Sequence, residues 1–147
     1  AASDVYKRQI MEYSKERMDD LMRAYDEYIS SCDYIRMSEV YKIIVNMPSR
    51  RFWVSDIRAA LIISAMMRGK TDLSTMCPLK KEMYEEIYNR VFKLQEEYPE
   101  LTISELCAKV IAQPAPKFYL TPGSAKVMVC KARKQWIQEK WKRLRLL

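Results

Sequence analysis

Apolar side chains recur along most of this chain at steps of three and four, the period of a helix with one face turned to a core. Met83, Ile87, Val91 and Leu94 keep that step with charges between them. The pattern predicts a first helix over about 10–30 and a matching one over about 79–97. Thr102 with Glu105 three positions on forms a capping box, and Leu101 with Leu106 supplies a hydrophobic staple, so a shorter helix begins there. It stops before Pro114, as the segment SEVYKIIVN stops before Pro48. Ser55 and Thr121 are N-caps for third helices. Pro122 takes the first helical position, where its missing amide hydrogen costs nothing, and Asp56 favours the positive end of the dipole.

These elements are written twice. A shift of sixty-six positions aligns 16–68 with 82–134 without a gap, and brings PSRRFWVS at 48–55 onto PAPKFYLT at 114–121. Few of the pairs are identities, but physical class agrees at the stops, caps and apolar plugs. Pro48, Phe52 and Ala59 meet Pro114, Phe118 and Ala125, and Trp53-Val54-Ser55 meets Tyr119-Leu120-Thr121. The expected architecture is all-α, with two tandem three-helix units of helix-turn-helix-like form packed together and a long basic C-terminal helix. The expected boundaries are 10–68 for the first unit, 69–78 for a connector and 79–147 for the second. Each repeated octapeptide serves as a stop, a plug and a cap, with a brief strand-like pairing between the Phe52–Val54 and Phe118–Leu120 triplets. The opening AASDVYKRQ resembles translated sequencing-adapter fragments, so 1–9 is set aside as adapter-derived or disordered.

Composition narrows the chemistry. Two glycines and six prolines in 147 residues leave little material for hairpins, in keeping with helices. With no histidine and four cysteines (Cys32, Cys77, Cys107, Cys130) too widely spaced to form a CxxC pair, no metal site is expected. The thiols read as reduced and mostly half-buried. The longest apolar run, ALIISAMM at 59–66, is too short to span a bilayer, so a soluble cytoplasmic protein with no membrane partner is expected. Paired acids such as Asp19-Asp20 and Glu85-Glu86 lack a nucleophile, a base or a phosphate loop beside them. No catalytic residue, cofactor or small-molecule substrate is expected, and the chain reads as a binding protein rather than an enzyme.

Charge decides what it would bind. The net charge is +7, and residues 126–147 alone carry that whole excess, with Glu139 their sole acid. Lys131, Lys134, Gln138, Lys142 and Arg145 advance by three and four along one helical face, a row suited to phosphate neutralisation. Ser124, Lys126 and Lys131 sit near the helix start, where a helix entering a groove meets base edges and phosphates. Arg50, Arg51 and Lys117 in the connectors, with Arg58 in the first unit's third helix, complete the candidate nucleic-acid contacts. Val129, Ala132, Trp136, Trp141 and Leu144 read as the inward stripe of the same helix, with both tryptophans in the core. The first unit's third helix, apolar all round, reads as a buried central helix or a subunit interface.

With the repeat and its RRFWVS and PAPKFYLT connectors in view, the chain resembles tandem tri-helical proteins of phages and mobile elements of gut Bacteroidota, over most of 16–140. The resemblance implies a bacterial or phage-infected cytoplasm and carries no activity to transfer. The resulting expectation is a DNA-binding protein of such an element, with RNA as a second polyanion, acting mainly through the C-terminal unit. The competing expectation is a helical protein-interaction or virion-associated module, a homo-oligomer that self-associates through helix 55–68.

Overall fold

A computed structural model describes residues 2–70 and 73–146, and among them there are six α-helices and no named strand. The first repeat supplies α1 (Ala2–Ser31), α2 (Met37–Ile44) and α3 (Asp56–Met67); the second supplies α4 (Pro78–Glu97), α5 (Ile103–Ile111) and α6 (Pro122–Arg145). A 3₁₀ turn, Leu73–Thr75, lies between α3 and α4. The helix starts follow the caps. Ser55 Oγ accepts the Arg58 amide at 3.1 Å and Thr121 Oγ1 accepts that of Ser124 at 3.1 Å. At Thr102 the capping box closes in both directions, at 3.3 and 3.2 Å. The first helix opens at Ala2 rather than near residue 10, so residues 2–9 of the segment set aside above are helical.

The helices do not group as the repeats do. One compact unit is Pro48–Tyr119, in which α3 packs on α4 and α5. The other gathers the chain on either side of it, with α6 packed on α1 and α2. Each unit therefore has three helices, but the third comes from the other repeat. The expected boundaries at 10–68 and 79–147 give way to this exchange. A helix-turn-helix would set a repeat's third helix on its own second through a turn of three or four residues. Here eleven residues separate Ile44 from Asp56, in a connector of turns and bends far longer than that turn.

Within Pro48–Tyr119 the two connectors meet. Ser49 and Ala115, equivalent positions of the two repeats, exchange both backbone hydrogen bonds at 3.0 Å in an antiparallel bridge, three residues ahead of the apolar triplets expected to pair. The Phe52 amide donates to the Ile111 carbonyl at 3.0 Å, and Ser49 Oγ donates to the Arg51 carbonyl at 2.7 Å. Phe52 is fully buried, stacked on Tyr119 with ring centres 6.1 Å apart and covered by the Arg90 guanidinium at 4.9 Å. Arg90 also reaches Glu86 Oε1 and the Pro114 carbonyl, both at 2.9 Å, and so ties α4 to the second connector. Tyr119 holds φ at 56°, an uncommon backbone state for a bulky side chain. Around these residues Ile63, Ile87, Val91, Leu106 and Val110 complete the core.

The α1–α2–α6 unit is closed by Leu21, Ala24, Val40, Ile44, Ala125 and Val129, all fully buried. It also buries a charge: Asp20 is inaccessible and accepts two bonds from the Arg23 guanidinium, at 2.7 and 3.0 Å. Burial thus selects one stripe of α6 near its start and releases the rest.

Candidate nucleic-acid interface

The basic row rests on the register of α6. Ala125 and Val129 turn inward, which leaves Lys131, Lys134, Lys142 and Arg145 together on the outward side, all exposed. Lys126 is exposed too but stands about 140° round the helix from Lys131. Among the described residues no ion pair engages any of these five. Ser124 belongs to the cap instead: its hydroxyl accepts from Thr121 Oγ1 at 2.9 Å. Arg133, on a different side, donates to the Tyr25 hydroxyl at 3.4 Å, and Lys140 lies 5.1 Å from the Trp136 ring centre.

The other candidate cations belong to the Pro48–Tyr119 unit, where Lys117 and Arg51 are engaged within the fold. Lys117 pairs with Glu82 and sits over the Tyr119 ring. Arg51 donates to the Phe52 and Val54 carbonyls, both at 3.3 Å, and lies 5.1 Å over Trp53. Both brace a connector. Arg50 and Arg58 are exposed.

Three readings of the apolar residues are corrected. Trp136 and Trp141 are 62% and 60% exposed, not core, because α6 runs on for a further twelve residues where its repeat counterpart α3 has stopped. Leu144 is exposed with them, so the inward stripe ends at half-buried Ala132. The helix read as a buried central helix or a subunit interface is not buried: it presents Ile57 and Leu61 at 73% and 62% exposure, with Ala59 and Ile63 fully inward. Of the thiols, Cys107 alone is buried and Cys32 half-buried, while Cys77 and Cys130 are exposed; all four are free.

A feature the pattern did not disclose lies between α1 and the later turns of α6. An open groove of about 1060 Å³ has half-buried Met18 and Met22 on one side and Trp136 and Ile137 on the other. The unequal helix lengths were its only sequence signal. Burial raises the Cys107 thiol to about 11, and burial with Glu86 and Glu82 nearby raises the Tyr119 phenol to about 12. Both groups therefore hold their protons at neutral pH. Among the described residues no group of three or more acids or cysteines is placed to hold a metal, and no helix is long and apolar enough to cross a membrane.

Comparison with protein-family models, with curated proteins and with solved structures returns no match.

Proposed function

We propose that the chain binds nucleic acid, duplex DNA foremost, through the outward row of α6. The observation that carries this reading is the row itself: Lys131, Lys134, Lys142 and Arg145 lie on one exposed face, free of ion pairs among the described residues, opposite the buried Ala125 and Val129. From Lys131 to Arg145 the helix rises about 21 Å. Duplex DNA carries one negative charge per roughly 1.7 Å of axis, so a row of that length meets several phosphates at once and releases their counterions. Lys126 and the cap residues at the helix start are the groups nearest a groove. Arg50 and Arg58 add a second basic surface on the other unit; Lys117 and Arg51 drop out because their charges are engaged within the fold. Such binding suits regulation, replication or mobility of a phage or mobile element, and it requires no chemistry at the site.

The test is fluorescence anisotropy with labelled duplex, single-stranded DNA and RNA across a salt series. Replacing Lys131, Lys134 and Lys142 with Ala lowers the salt slope of log affinity on duplex by about 2.7 if all three touch phosphates. An unchanged slope and affinity in that variant removes the assignment. A second reading, a protein-interaction or virion-associated module, is favoured by one observation: Ile57 and Leu61 expose an apolar pair one turn apart on α3.

A further inference from the structure

The two longest helices share one unit, and their meeting leaves a face uncovered. Beyond Lys131, α6 lies beside the Glu12–Asp26 stretch of α1, and the groove between them has an apolar floor: Met18 and Met22 half-buried, Trp136 at 62% and Ile137 at 46% exposure. In the other unit Met66 and Met67 at the end of α3, with Met76 beyond it, pack against the core. No such covering residues follow in α6, whose last turns bear exposed Trp141 and Leu144. Two helices with an open apolar seam normally bury it against two more.

The charges at the rims decide the occupant. On α1 the groove carries Glu12, Asp19 and Asp26 against Lys15; on α6 it carries Lys131 and Arg133 against Glu139. One rim is acidic and the other basic. A polyanion or an anionic lipid surface meets repulsion along the α1 rim, so neither fits the groove as a whole. What fits is a pair of helices carrying the same two signs in crossed order. The chain itself, turned about a two-fold axis running along the helices, is such a pair.

We propose that a second copy of this chain covers the groove, the two α1–α6 pairs stacking so that each α1 lies against its partner's α6. The other two-fold, α1 on α1, sets like charges against each other and is disfavoured. Lys134, Lys142 and Arg145 stay on the outward side of this assembly, and the dimer presents them twice, while Lys131 lies at the contact. The inference does not rest on nucleic-acid binding.

Light scattering across a dilution series gives twice the chain's 17.5 kDa at the higher concentrations. Two rim variants then test the crossing: Glu12→Lys with Asp19→Lys and Asp26→Lys, and Lys131→Glu with Arg133→Glu. These residues are exposed, so helicity by circular dichroism is retained. Each variant alone is monomeric where the parent chain is dimeric, and an equimolar mixture of the two recovers the doubled mass, because each acidic rim again faces a basic one. Trp136→Glu, in the groove floor, gives a monomer by a separate route. A single-chain mass at every concentration overturns the proposal, and so does a mixture that fails to pair. A dimer that persists in both rim variants also overturns it and moves the contact elsewhere, to the Ile57–Leu61 face for example.

Discussion

Leu21 and Ile87 hold the same place in their repeats, as do Val40 and Leu106, Ala59 and Ala125, Ile63 and Val129, and all of them are fully buried. Around these shared positions the two units diverge. Both connector phenylalanines, Phe52 and Phe118, lie within Pro48–Tyr119, along with the paired backbone of Ser49 and Ala115. The α1–α2–α6 unit receives neither plug. It relies on longer helices and a buried Asp20–Arg23 pair, where the equivalent position in the other unit, Glu86, pairs with Arg90 at a partly exposed site. Duplicated sequence has thus produced one unit closed by aromatic packing and one closed by charge and length. The second kind is the one that leaves Trp136, Trp141 and Leu144 exposed.

The largest effect that would sharpen this contrast is Phe52→Ala. Removing a fully buried ring that Tyr119 and Arg90 both cover costs about 3–5 kcal/mol, read from the shift in the urea midpoint. A loss below about 1 kcal/mol would show that the connectors do not hold the Pro48–Tyr119 unit. Next comes the ion-pair comparison. Asp20→Ala costs about 1.5–3 kcal/mol, because two charge-assisted bonds to Arg23 are lost at a buried site. Its repeat counterpart Glu86→Ala costs under about 1 kcal/mol. Equal losses would erase the distinction between the units.

The gentlest effect is confined to alkaline pH. Cys107 in the folded chain favours its neutral thiol, with its pKa raised from 9.0 to about 11. The stability linked to that proton is complete below pH 9 and is lost as the pH climbs toward 11, since the unfolded chain ionises first. Cys107→Ala flattens the fall in urea midpoint across that window. An unchanged alkaline profile would place the loss with other groups, among them Tyr119.

Apart from the start of α1, helix starts and stops were legible in the sequence because they depend on neighbours along the chain. Ser55, Thr102 and Thr121 cap as their side chains and spacing require, and Pro48 and Pro114 fall where helices have ended. The exchange of third helices was not legible from the same pattern. Ala59 and Ile63 on α3 offer the same buried stripe as Ala125 and Val129 on α6, so either helix suits either bed and the periodicity is silent on the choice. Connector length held the only clue. The basic row was readable from spacing alone, whereas the engagement of Lys117 by Glu82 and of Arg51 by backbone carbonyls depends on distant chain and could not be read. Trp136 and Trp141 misled for a related reason. Their residue type favours burial, but burial needs a neighbour, and α6 continues beyond the turns its neighbours cover.

The chain leaves the α1–α2–α6 unit after Met47 and rejoins it at Leu120. On a ribosome this reverses the usual order of maturation. The middle segment can close as soon as Tyr119 has cleared the exit tunnel, while α1 and α2 wait, half-finished, for α6. Cutting the gene between the repeats, the natural place by sequence, would yield two polypeptides that each lack a helix, and co-expression of both would be needed to recover either unit.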